Sequence, residues 1–482
     1  MKLLFIIIFT ITTAIESLKA QPESIWQLLQ DGSIIRWAYT DGDEFNGPSL
    51  NESVWSYHYP WQYSDCSEFY TNGNNYEFSY NNTIESETIK LISKEETIQG
   101  HKLTYCPDGS SDIDNCLIDG IPNLRWYNYT SGMIFSKRQF KYGLFEIRFK
   151  LPIGKGLVPA FWLLGINPDE EFDIFEYKGE TPNKIHIDTH CPNGCNNYPG
   201  FIWPIDFGGW VTATGNFSDG FNTMMGEWEP DACFWYLNGQ DFAIWLGNFN
   251  YQAHLIANVA VGAAGPCAFS PPFVDSSTPF PAVFEIDYIR VWSRLDCEND
   301  INISNYNQSE ISPTTITGKN INISNFSISQ DQTLHVIGTE TITLGDGTSF
   351  NGDVEVKTVE CPEPTKNPSF SKNNDSLRII STNEKAVNIS HSTTIANKEN
   401  LPLLYVKIYP NPSDGKITIE FIGKIDCEVK IELIDFTGKV IFLSDCISSK
   451  SIDIDISQFS KGVYILKGTF NNNSITDRII LK

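Results

Sequence analysis

From about residue 31 to 297 the chain is divided into short alternating apolar segments, separated by Gly, Pro and Asn turns, with few stretches of helical period. Side chains alternate faces along a strand, so each such segment buries one face only if it pairs into a sheet. Many in succession must close into two sheets packed face to face, and a curved sheet of this kind carries a groove long enough for a polymer. The expected fold class is therefore all-β. At 482 residues the chain is too long for one domain. All twelve Trp lie between Trp26 and Trp292, which separates an aromatic-rich first part from a Trp-free remainder. Flat aromatic faces suit sugar rings, although most of these residues are needed to fill a sandwich core.

Within the aromatic part, Glu171-Phe172-Asp173-Ile174-Phe175-Glu176 places three carboxylates in an otherwise apolar run, just after Pro159-Ala160-Phe161-Trp162-Leu163-Leu164. Glu171 and Asp173 share a face. Glu176 falls out of phase, and one β-bulge between them restores it. Acidic residues on a strand are ordinarily its solvated half. Here Phe172, Ile174 and Phe175 fill the opposite face, and burying unpaired charge is costly, so an open catalytic cleft is the better reading. Two carboxyl groups about 5–5.5 Å apart serve a retaining glycosidase as nucleophile and acid/base.

The run from Glu171 to Gly179 resembles the active-site strand of glycoside hydrolase family 16, and ordered blocks around it agree. These are Asp43–Gly47 with Trp55, Tyr142–Arg148, Ala160–Trp162, Pro182–His190, Glu227–Asp231 with Trp235–Gly239, and Phe284–Trp292. The resemblance covers residues 31–297 and implies a concanavalin-like β-jelly-roll sandwich. It implies an endo-acting, retaining enzyme of the laminarinase type acting on β-1,3 or mixed β-1,3/1,4 glucan. Glu171 would be nucleophile, Glu176 acid/base and Asp173 the residue that orients Glu171 and tunes both. Trp162 would stack on sugar, and His190 would contact sugar hydroxyls or the acid/base. Trp126 and Trp203 are further candidates for the cleft. The chemistry needs no cofactor, and the family implies a structural Ca²⁺ on the convex side with Asp287 as one ligand. Two other readings stand beside it: a galactanase of agarase or carrageenase type, and a polysaccharide-binding surface protein without turnover. The stretch Gly165–Glu170 is short and lacks the family's Trp, Phe221–Met224 departs from the usual pattern, and an insertion from about Cys106 to Cys116 has no counterpart.

Residues 1–20 read as a secretory signal peptide, with an apolar stretch too short for a spanning helix. Eleven Cys in an exported chain imply disulfides, and the odd count leaves at least one thiol unpaired or one bridge between chains. Cys106/Cys116, Cys191/Cys195 and Cys427/Cys446 are local candidates. A zinc site at Cys191 and Cys195 with His186 and His190 would need thiolates that an oxidising compartment does not supply. A formal charge of −25 excludes nucleic acid as partner and favours a neutral polysaccharide over a sulfated one. The expected catalytic domain is 21–297. Residues 298–365 read as a linker and small β spacer, with the linker over 298–330 and renewed alternation after 331; 366–403 read as flexible linker.

The last segment, 404–482, resembles a type A C-terminal sorting domain of the type IX secretion system. Tyr409-Pro-Asn-Pro412, Gly462-Val463-Tyr464 and the basic terminus carry the resemblance; a generic Ig-like adhesion module is the alternative. It implies an Ig-like β-sandwich, the secretion machinery as partner, and export through periplasm and outer membrane to the surface or medium. The enzyme is expected to be a monomer.

Overall fold

The computed structural model describes residues 22–28, 34–165, 170–190, 206–230, 232–246, 251–262, 274–307, 315–329, 333–362, 379–382, 405–409, 413–422, 430–434, 440–444, 451–459, 462–470 and 473–481. The signal-peptide segment, Trp203, and the Cys191/Cys195 and Cys427/Cys446 pairs lie outside them. Every described element is a strand.

Two sheets form the aromatic-rich domain. One is 8-stranded, and its centre runs through Asp206–Ala213, Lys184–His190, Glu171–Tyr177, Leu157–Gly165, Ala253–Val261 and Met133–Phe140. The other is 11-stranded and is built around Gly143–Lys150, flanked by Asn222–Glu229 and Ala282–Arg294. Their inner faces close on Phe149, Phe161, Phe172, Phe175, Trp228, Trp235 and Phe284, all buried. Phe149 stacks on Phe175 with centroids 4.6 Å apart, and Phe172 meets Trp235 edge-on at 5.2 Å. The sheets approach closely enough that Gly226 must lack a side chain, because a Cβ there would lie 2.6 Å from Ile174.

Within the segment read as a linker over 298–330, the described residues are mainly strand. Ile301–Asn307, Thr315–Ile328, Thr333–Leu344 and Asp353–Thr358 pair in parallel, with Ile301 opposite Ile321, Thr315 opposite His335 and Thr333 opposite Asp353. Side-chain amides stack between successive rungs: Asn322 donates to Asn302 at 3.0 Å and Asn325 to Asn305 at 3.2 Å, each 20 positions apart. Asn305 and Asn325 both adopt left-handed backbone, φ 59 and 46, which asparagine tolerates at a corner. The segment is a short parallel solenoid, and its Ile-Asn-Ile-Ser-Asn repeat at 301 and 321 is the sequence signal that a composition-based reading passes over.

This solenoid shares its core with the sandwich. Ala38 and Leu295 pack with Ile337 and Val359, and a disulfide joins Cys297 to Cys361. Arg138 pairs with buried Asp41 while reaching Asp353 at 2.8 Å and His335 at 3.1 Å. Within the expected flexible linker, Ile379–Thr382 pairs along Asp206–Ala213 and extends the 8-stranded sheet by one strand, which blunts an open edge. The expected Cys106–Cys116 disulfide is present, Cys66 is also bridged, and Cys233 is a buried free thiol. The C-terminal unit has two small sheets with their own core of Ile417, Ile419, Ile431, Leu433, Tyr464, Leu466 and Ile479, as an Ig-like sandwich requires.

The sandwich therefore shares structure with residues beyond 297: the solenoid packs on it and Ile379–Thr382 pairs into its 8-stranded sheet. Closing a loop of 64 residues stabilises by about 4 kcal/mol on chain entropy alone. The full chain with Cys297→Ser, Cys361→Ser is expected to melt roughly 5–10 °C below the wild type in differential scanning calorimetry. Equal melting temperatures would show that the bridge adds nothing to the union of solenoid and sandwich.

Candidate active site

The strand Glu171–Tyr177 carries an extra residue in register against both neighbours. Opposite Leu157–Gly165 the pairing passes from Phe161/Phe175 to Trp162/Asp173, and opposite Lys184–His190 from Glu176/His186 to Asp173/Asp188. This is the phase-restoring bulge that three carboxylates on one face require. Phe172, Ile174 and Phe175 all join the core. At the bulge the Asp173 carbonyl accepts a 2.9 Å hydrogen bond from the buried Trp235 indole of the opposite sheet.

Each carboxylate then has a partner directly across the strand pair: Glu171 faces His190, Asp173 faces Asp188, and Glu176 faces His186. His190 Nε2 stands 3.4 Å from Asp173, 3.6 Å from Asp188 and 4.0 Å from Glu171. His186 Nδ1 stands 3.4 Å from Glu176 and 4.0 Å from Asp188. Asp188 fits because Gly208 lies beneath it; a Cβ there would sit 2.3 Å from the carboxyl carbon. Burial, then the Asp173 charge, pushes the Glu171 carboxyl well above the usual range, with His190 pulling the other way. Glu176 is raised well above its usual range by burial and then by Glu171 and Asp188. Asp173 is pushed up to about 7 by burial and the Glu176 charge, against the pull of the His190 ring 3.4 Å away. Burial alone would lower His190, but Asp173, Glu171 and Asp188 outweigh it and hold it up to about 11. His186 is depressed to about 4 by burial and by the His190 and Lys178 charges, so it is neutral.

Trp162 lies opposite Asp173 on the neighbouring strand and so shares the acidic face. Its indole N–H donates to Asn258 at 3.0 Å; Asn258 in turn donates to Tyr70 at 3.0 Å and to Asp65 at 3.3 Å. Half-buried Asp65 also accepts from Tyr59 at 3.0 Å and Tyr70 at 2.7 Å. The chain of bonds fixes the indole edge on the acidic face. The alternation in Lys184-Ile-His-Ile-Asp-Thr-His190 could have revealed His186 and Asp188 beside His190. Nothing in sequence links Asp65, Asn258 or Trp235 to the site.

Trp126 stands on the other sheet, 68 % exposed, away from this cluster of strands. The surroundings of Asp287 do not fit a divalent cation: its buried carboxylate is ion-paired with the Arg148 guanidinium, whose positive charge occupies the place a metal would need. Among the described residues the only group of three or more His, Cys, Asp or Glu with ligand spacing is Glu171, Asp173 and His190.

Residues 67–245 match the sequence profile of Glycosyl hydrolases family 16, and residues 407–482 match that of a Secretion system C-terminal sorting domain. A glucan endo-1,3-beta-glucosidase of Cryptopygus antarcticus is 30 % identical over 194 residues, 34 % of this chain and 67 % of that protein. The chain belongs to glycosyl hydrolase family 16. Glucan endo-1,3-beta-glucosidase A1 of Niallia circulans is 26 % identical over 281 residues, 52 % of this chain but only 37 % of that relative's length. An endo-beta-1,3-glucanase structure from Pyrococcus furiosus is 25 % identical, with a TM-score of 0.43, covering 57 % of this chain and 99 % of that one. Within this family 16 domain the bulge and its indole cap determine where the acids stand. Trp235→Phe keeps the ring and orphans a buried carbonyl, a cost of about 1–3 kcal/mol. Chemical denaturation should show that loss together with reduced turnover; full stability and full turnover would remove the indole from the account.

Proposed function

We infer that the protein is an endo-acting, retaining glycoside hydrolase cleaving β-1,3 or mixed β-1,3/1,4 glucan by double displacement. The observation that carries this reading is the bulged strand that turns Glu171, Asp173 and Glu176 onto one face. The names of the relatives support glucan as substrate, and the acidic chain suits a neutral polymer. The C-terminal sorting domain marks the chain for export, with type IX machinery as its partner.

The roles follow from charge. Glu171 is the more exposed glutamate, at 24 % against 11 % for Glu176, and it lies beside the His190 imidazolium. It is the one that gives up its proton. Glu176 faces a neutral imidazole and two anions, so it keeps its proton. Glu171 attacks the anomeric carbon as Glu176 delivers its proton to the departing glycosidic oxygen. Glu176, now a carboxylate, removes a proton from the water that attacks the glycosyl-enzyme and regains its acid form. Asp173 sits between them and, with an ionisation near neutrality, adjusts both. Trp162 offers its ring to a sugar beside the cleavage point.

The test is reducing-sugar release by the purified protein from laminarin, mixed-linkage glucan, agarose and carrageenan, beside Glu171→Gln. Release from the first two, falling on the order of a thousand-fold in the variant, is the expected outcome. Release from a galactan alone would replace the substrate. Binding without release from any would make the protein a non-catalytic polysaccharide receptor.

A further inference from the structure

The residues flanking the Cys106–Cys116 segment carry a concentration of exposed apolar side chains. Tyr105 is 52 % exposed, Leu117 59 %, Ile121 53 % and Trp126 68 %. Such groups on a loose loop would collapse or be replaced by polar residues; here they are held out on a rigid base. The Cys106–Cys116 disulfide closes the segment, and Leu117–Ile118 pairs with Ile121–Pro122 as a small hairpin. Buried Asn123 ties the base by accepting from Leu103 N–H at 2.8 Å and donating to the Leu103 and Ile113 carbonyls, both at 3.2 Å.

Two further observations orient the patch. Gln99 pairs with Trp126 and His101 with Leu124, so Trp126 and His101 share one face of that strand pair. His101 bonds to Asp114 of the insertion at 2.7 Å, which places the insertion on the Trp126 face. At its other end the insertion is continuous with the wall of the candidate cleft. Thr104 N–H donates to the Trp61 carbonyl at 2.9 Å, Thr104 Oγ1 to the Pro60 carbonyl at 2.6 Å, and Tyr63 N–H to the Lys102 carbonyl at 2.9 Å. Trp61 stacks on Tyr59 at 5.4 Å and packs in the same cluster as Trp162. Backbone bonds therefore tie Thr104, the residue before exposed Tyr105, to Trp61 of the cluster that holds Trp162.

We propose that the stapled insertion, with Tyr105 and Trp126, is an accessory binding platform for the same neutral polysaccharide, contacting sugar residues beyond the catalytic cleft on its Trp162 side. The proposal rests on the glucanase reading for the identity of the ligand. Aromatic faces take the apolar faces of sugar rings, while exposed Asp108, Asp112, Asp114 and Asn115 supply acceptors for hydroxyls and repel a sulfated chain. A second contact on one polymer makes later binding intramolecular, so it acts on long substrates and not on short ones.

The test compares the full chain with the double variant Tyr105→Ala, Trp126→Ala and with Tyr105→Phe, Trp126→Tyr, which keeps aromatic faces. For each, kcat and KM are measured on laminarin and on a short β-1,3-gluco-oligosaccharide, and migration is followed through a laminarin-containing native gel. The ratio of kcat/KM on polymer to that on oligosaccharide should fall about ten-fold in the alanine variant, through KM, with loss of gel retardation and restoration by the aromatic variant. An unchanged ratio with unchanged retardation overturns the platform, and so does an equal loss on both substrates. If the wild type hydrolyses neither substrate, the catalytic reading fails, yet the gel still decides the platform. Retardation lost only in the alanine variant supports it, and retardation equal in all three, or absent from the wild type, refutes it.

Discussion

The hydrogen bond from the Trp235 indole to the Asp173 carbonyl governs where the chemistry stands. A bulge turns one carbonyl off the sheet ladder and toward the interior, where an unpaired acceptor is expensive. Trp235 comes from the opposite sheet and satisfies it. The packed core thus holds the irregularity that gives the strand two faces of different character, with phenylalanines inward and carboxylates outward. Gly226 and Gly208 serve the same arrangement by absence of a side chain, one letting the sheets approach and the other making room for Asp188. In this domain the site depends on sheet packing rather than on loops.

Crowding four carboxylates around His190 and His186 is electrostatically unfavourable, and the protein uses that cost. Burial and mutual repulsion hold protons on the acids, and the His190 imidazolium stands between Asp173, Asp188 and Glu171. Trp162, Asn258 and Asp65 extend the order outward through neutral and charged hydrogen bonds, so the indole beside the acids is held in one place. The solenoid contributes at the flank, where Arg138 bridges Asp41 of the sandwich to Asp353 and lies against His335.

Much of this was legible in the chain. Period-two alternation gave the sheets, and the odd spacing from Glu171 to Glu176 demanded the bulge. His190 was found through the family resemblance, while His186 and Asp188 were visible only to a reading that carried alternation one strand further. Asp65 and Asn258 were not legible, because their pairing depends on segments nearly two hundred positions apart that meet only in the fold. Residues 298–330 were misread because an Asn- and Ser-rich composition suggests a linker, whereas the 20-residue repeat makes those same amides into ladders. Asp287, expected as a Ca²⁺ ligand, takes Arg148 as its partner, a contact that depends on how two strands pair and that neither family block shows by itself.

The stereochemistry of the first product tests the central claim most directly. Proton NMR of laminarin during the first minutes of hydrolysis distinguishes the anomers before mutarotation mixes them. Double displacement through Glu171 predicts that the β-anomer appears first and the α-anomer grows in later. The α-anomer appearing first would mean single displacement by water, and Glu171 could not be the nucleophile.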